Sequence, residues 1–150
     1  MSWNDLRKHR YTQPNGEYFV TFNTVDKRDV FSDFSYGCLF CQQIQVNEQI
    51  HDCEWSTWVL MPDHFHGLLR LSSSGSSLSK IVQSLKGRSA YLLNKQSDRA
   101  GRLWQPAFYE RALRSEDDRK AIARYILNNP KRRGLVESVR DYPYWDSVFL

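Results

Sequence analysis

Two histidines stand two positions apart in the run VLMPDHFHGLLRL, residues 59–71, which is otherwise largely apolar. In an extended strand, residues i and i+2 project to the same side. His64 and His66 therefore point together, while Phe65 and Gly67 face the other way. Two imidazoles on one side can share a metal ion. Neutral imidazole suits zinc, copper, iron and nickel, and it can also serve a divalent ion already held by substrate oxygens. The competing reading is a pair of partly buried histidines satisfied by backbone or carboxylate partners. Polar residues set side by side in a strong strand pattern shift the balance toward the metal.

A second metal-capable set is Cys38, Cys41, His51 and Cys53, the first two with CxxC spacing. Together they could be written as a four-ligand zinc site. Cys38 and Cys41 fall in a helix-like run, however, where i and i+3 simply share a buried face, so buried free thiols are the preferred expectation. An odd count of cysteines without a secretion signal also argues against a disulfide framework.

The elements that must position the histidines can be read from periodicity. EYFVTFNT, residues 17–24, follows the turn signal PNG and is rich in β-branched and aromatic residues, which predicts a strand. Apolar positions from Ser32 to Ile50 are spaced for a helix. WSTWVLM, residues 55–61, is a strand buried on both faces. Pro62 and Asp63 break it, and HFHGLLRL resumes as its hairpin partner. After the serine-rich loop SSSGSS, Leu78, Ile81, Val82, Leu85, Leu92 and Leu93 predict a helix capped by Ser77, with Lys80, Lys86 and Arg88 on its other face. LWQPAFYERALR, residues 103–114, reads as irregular or edge strand because Pro106 cannot donate to a ladder. SEDD, residues 115–118, predicts a capping box of Ser115 with Asp118, opening a helix that runs to Asn129 before Pro130. This order predicts an α+β fold: one ferredoxin-like antiparallel sheet with helices packed on one face, formed by residues 1–150 as a single domain.

Bulk properties agree. The chain has 150 residues, 41% hydrophobic and 25% charged, which excludes disordered and fibrous classes. No stretch resembles a membrane span, and MSWNDLRKHRY lacks the apolar core of a signal peptide, so a cytoplasmic protein without a membrane partner is expected. The net charge of +4 is concentrated in islands: RKHR at 7–10, Lys80 with Lys86 and Arg88, and KRR at 131–133. Such clusters invite phosphate, although a solvated surface is the commoner meaning of any one of them.

Three separated pieces, VLMPDHFHGLLRL, LWQPAFYERALRSEDD and RYILNNPKRRGLV, followed by DYPYWDS, stand in an order and spacing that resembles the single-tyrosine transposases of the HUH endonuclease superfamily. Within these the chain looks most like the REP-associated tyrosine transposases of bacteria. The likeness runs from YFVTFNT to DYPYWDS, nearly the whole chain. It implies that His64 and His66 are the metal-binding pair, that Tyr125 is the catalytic tyrosine, and that Asn129 completes the metal site. Without it, Tyr125 reads as a core aromatic between Ile122 and Ile126, and Asn129 as a helix-end residue. On one helix the two would share a face about 5–6 Å apart. Tyr18, Tyr91 and Tyr109 would otherwise compete as nucleophiles.

The implied activity is a metal-dependent single-stranded DNA endonuclease and strand transferase, using magnesium or manganese and a covalent 5′-phosphotyrosine intermediate. The implied partner is palindromic hairpin DNA with a single-stranded foot, and the implied setting is the bacterial nucleoid, as monomer or homodimer. Lys80, Lys86 and Arg88, with Lys131, Arg132 and Arg133, are then expected to bracket the DNA backbone. Arg7, Arg10 and Tyr11 in LRKHRY are further candidate contacts. Lys131 and Arg133 depart from the small or apolar residues usual after that proline, and are expected to strengthen phosphate binding. The alternatives are a domesticated hairpin-binding protein that does not cut and, third, a metal-dependent hydrolase of small molecules, which the basic surface supports little.

Overall fold

A computed structural model describes residues 16–150. Strand β1 (Glu17–Asn23) alternates as a half-buried strand should, with Tyr18, Val20 and Phe22 in the core and Phe19 and Thr21 on the opposite side. Helix α1 (Phe34–His51) begins where the Asp33 carboxylate accepts from the backbone N–H groups of Ser35 and Tyr36. Strands β2 (Cys53–Leu60) and β3 (His64–Leu71) form the expected hairpin, closed by Met61 N–H donating to the His64 carbonyl at 2.7 Å. Helix α2 (Leu78–Ser97) is capped by Ser77, as its sequence predicts, and β4 (Tyr109–Ala112) is a short edge strand.

All neighbouring strands are antiparallel, in the order β4-β1-β3-β2-β5, where β5 is Trp145–Ser147. The first four strands with α1 and α2 make the ferredoxin-like βαββαβ unit. β3, carrying the two histidines, lies at the centre of the sheet. β5 extends the edge beside β2, and its approach is fixed by Tyr144, whose ring occupies the space that a side chain at Gly37 of α1 would need.

One face of the sheet holds an aromatic core. Phe22, Phe40, Phe65 and Trp104 are all at most 3% exposed, with the Phe22 and Phe65 rings stacked at 4.9 Å and Trp104 edge-on to Phe22 at 4.7 Å. Burying each such ring is worth about 1.5–3 kcal/mol, and favourable ring pairs add about 0.5–1.5 kcal/mol. Helices α1 and α2 cover this face. The opposite face carries His64 and His66 and is covered in part by α3 (Arg119–Leu127), which lies over β2 and β3 and faces Phe19, Tyr109 and Arg111 across a cleft. Helices thus lie on both faces of the sheet rather than on one.

Two local expectations change. The cap of α3 is Asp118, which accepts from Ala121 N–H at 3.1 Å; Ser115 instead lies in a turn that Arg114 and Asp117 close, and its hydroxyl donates to Glu116. The helix also ends two residues early. Leu127 is its last residue, and Asn129–Arg132 forms a separate short helix, α4, with Pro130 in its first turn, where the missing N–H has no partner to lose.

Candidate active site

The alternation along β3 puts Phe65 into the aromatic core and both imidazoles on the other face, with ring centroids 4.5 Å apart. Each ring is held through the same atom. His64 Nδ1 lies 2.6 Å from Asp63 Oδ1, and His66 Nδ1 lies 2.7 Å from Thr21 Oγ1, the residue directly opposite it on β1. A neutral imidazole that donates from Nδ1 has its lone pair on Nε2. Fixing the ring nitrogen that faces away from the metal is how proteins set the tautomer and aim of a ligating histidine.

Burial keeps both rings in the neutral, ligating form. It pushes His66 down to about 3, with His64, Arg132 and Arg133 pushing the same way. Burial also lowers His64, against the opposing pull of the Asp63 carboxylate. Asp63 is itself nearly buried, and one Arg133 Nη donates to both its oxygens at 3.2 and 3.3 Å.

Tyr125 projects from α3 and is 59% exposed, so it is not the core aromatic that its neighbours Ile122 and Ile126 would suggest. The Arg132 guanidinium lies over its ring at 4.3 Å and donates to its carbonyl at 2.8 Å. Beside Tyr125 opens a cleft of about 350 Å³ lined by Phe19, Tyr109, Arg111, Ala121, Ile122 and Tyr125. Phe19 is shared between this cleft and the histidines, its ring centroid 5.8 Å from that of His66.

The three residues after Pro130 follow different courses. Arg132 and Arg133 reach the Tyr125 and His64 surroundings respectively, and Lys131 is exposed. Asn129 is half-buried at the start of α4, past the end of the helix that carries Tyr125. The α2 cations are not brought to the histidines. Lys86 lies over the Phe22 ring on the other face of the sheet and donates to the carbonyls of Gln105 and Ala107, and Arg88 donates to Gln43 of α1. Lys80 stands beside His51 and the serine loop. Arg7, Arg10 and Tyr11 lie outside the described residues.

Among the described residues, no three His, Cys, Asp or Glu side chains stand where they could hold one metal ion. Cys38, Cys41 and Cys53 are free, partly buried thiols. The donor chemistry of His64 and His66 nevertheless fits a divalent ion, because both are neutral and each is held by its Nδ1. Sequence reasoning missed Asp63, Thr21, Phe19 and Arg111, and weighed Tyr109 only as a rival nucleophile. Asp63 carried a signal, a carboxylate directly before a candidate ligand. Thr21 became visible only with the strand register.

Comparison with known proteins settles the family. A family model described as transposase IS200 like matches residues 12–129. The chain belongs to the IS200-like transposase family. The REP-associated tyrosine transposase of Escherichia coli K12 is 27% identical over 135 residues, covering 90% of this chain and 78% of that protein. A solved REP-associated tyrosine transposase bound to a REP hairpin superposes with a TM-score of 0.78 at 26% identity, over 91% of this chain and 79% of its own. A crystal structure from Deinococcus radiodurans R1 gives a TM-score of 0.53 at 27% identity, over 79% of this chain and 94% of its own. The resemblance read from the sequence and the α+β sheet architecture both hold for this IS200-like chain. No helix among the described residues is long and apolar enough to cross a membrane.

Proposed function

We propose that this IS200-like transposase cuts and rejoins single-stranded DNA beside a hairpin, with Tyr125 as nucleophile. The observation that carries the reading is the pair His64 and His66, each pinned through Nδ1, on the sheet face that α3 covers and from which Tyr125 emerges. Hairpin DNA as the partner is supported by the relative solved with a REP hairpin.

His64 and His66 would hold a divalent ion, magnesium or manganese, with Asn129 as the remaining protein ligand. When bound, such an ion withdraws charge from the scissile phosphate. The Tyr125 hydroxyl attacks phosphorus, a Tyr Oη–P bond forms, and the bond from phosphorus to the 3′ oxygen breaks. The phenolic proton passes to a base or to solvent, and the departing 3′ oxygen leaves as a hydroxyl. A 3′ hydroxyl attacking the phosphotyrosine reverses these bond changes and joins strands without ATP, because the ester linkage is conserved. Arg132, over the Tyr125 ring, holds the nucleophile and adds positive charge where the phosphate must sit.

The test is a labelled REP-type hairpin with a single-stranded foot, incubated with magnesium or manganese and resolved under denaturing conditions. Wild type forms a covalent adduct and Tyr125→Phe forms none. A hairpin bound but never joined to protein would instead establish the non-cutting DNA-binding reading.

A further inference from the structure

Tyr109 is 57% exposed on the outer edge of the sheet, an unusual place for a large aromatic that contributes so little to the core. It is not isolated. Its ring lies 6.3 Å from Phe19, Phe19 lies 5.8 Å from His66, and His66 lies 4.5 Å from His64. Four rings from β4, β1 and β3 therefore form a row across one sheet face, ending at the imidazole pair. Residues opposite one another in antiparallel strands share a face, and the pairings Thr21 with Tyr109 and His66 with Thr21 place this row on the Tyr125 side. Arg111 lines the same cleft, and Arg132 covers Tyr125 at its wall.

Aromatic faces interleaved with cations are the means by which proteins hold unpaired nucleotides: rings stack on bases and cations meet phosphates. We propose that the cleft between Tyr109 and Tyr125 is a base subsite that takes an unpaired nucleobase adjoining the scissile phosphate, with Tyr109 as its stacking platform. The inference rests on the reading of Tyr125 and the histidines as a DNA-processing site and names where one base of that substrate goes. The ring row runs from Tyr109 through Phe19 to His66 and His64, so a strand with one base seated at Tyr109 can continue along the row to the histidines. Arg111 also meets Asp117 at 3.6 Å, a contact long enough to be exchanged for a phosphate oxygen.

The experiment uses Tyr125→Phe protein and a REP-type hairpin whose single-stranded foot carries 2-aminopurine at one position at a time. Stacking on Tyr109 quenches the probe at a position flanking the cleavage point. Tyr109→Ala in the same background removes that quenching and weakens binding roughly 5- to 150-fold, while Tyr109→Phe retains it. With the nucleotide at that position made abasic, Tyr109→Ala has no further effect. The inference is overturned if no position responds to Tyr109→Ala, or if the loss is the same on the abasic hairpin. Thermal melting of Tyr109→Ala shows whether the fold is kept. Adduct formation by wild type is read separately: an adduct without Tyr109-dependent quenching sinks the subsite alone, and quenching without an adduct sinks the cutting reaction alone.

Discussion

Arg133 and Asp63, seventy positions apart, are joined by one guanidinium nitrogen that reaches both carboxylate oxygens at 3.2 and 3.3 Å. The same carboxylate holds His64 Nδ1 at 2.6 Å, so the segment after Pro130 reaches a candidate metal ligand through a single residue. Arg133 was expected from the sequence to bind phosphate; the fold gives it a carboxylate. Losing such an outer partner of a ligating histidine weakens metal binding by roughly 10- to 100-fold. Asp63→Ala is expected to lower manganese affinity by that amount in calorimetric titration, and Arg133→Ala by less, since Asp63 remains. Unchanged affinity in Asp63→Ala would show that His64 needs no orienting partner.

Acid should destabilise the metal-free protein in a way that His66 dominates. In the unfolded chain its imidazole takes a proton near 6.5, whereas in the folded chain burial defers this to about 3. Between those values the unfolded state holds the extra proton, so stability is lost as pH falls below 6.5, by about 1 kcal/mol per pH unit. Urea denaturation at pH 7, 6 and 5 measures the slope, and His66→Gln is expected to make it shallower by about one proton.

Thiol reactivity offers a second titration. Burial pushes Cys41 and Cys53 from 9.0 up to about 12. At pH 9 each is then thiolate in only about one molecule in a thousand. Alkylation of these two cysteines in the folded protein should keep rising about tenfold per pH unit from 8 to 10, where an unperturbed thiol levels off near 9. Peptide mapping after iodoacetamide treatment reads the rate at each site.

Gly67 is a packing requirement on the aromatic side of β3. A Cβ there would meet the Trp55 ring at 2.8 and 2.9 Å. Gly67→Ala is expected to cost about 1–3 kcal/mol in chemical denaturation, the usual penalty for forcing an extra methyl into a filled core.

Tyr125→Phe should do the reverse, leaving stability within about 0.5 kcal/mol of wild type because the residue is exposed, while abolishing the DNA adduct. A large loss of stability would mark Tyr125 as a structural residue.

How much of this could be read from the chain alone depends on the distance over which each contact acts. The β2–β3 hairpin, the Ser77 cap and the same-sided histidines follow from local spacing, and all are found as expected. Ser115 failed as a cap because it and Asp118 are both competent capping residues, and the turn closed by Arg114 and Asp117 decided between them. Lys86 read as a surface cation; its long stem instead crosses Phe22 to reach two loop carbonyls, a course that no periodicity reveals. Thr21 and Tyr109 joined the site only through strand register, which pairs residues far apart in sequence.

Because β3 alternates phenylalanine toward one layer and imidazole toward the other, a slip of one residue against β1 would turn Phe65 outward and drive both histidines among the aromatic rings. Two neutral polar rings in that space would lose Asp63 and Thr21 together, and the cost of leaving them unpartnered would fall on folding itself. Proofreading of the site is therefore built into the collapse of the core: a misregistered chain pays in stability long before it could be tested for chemistry.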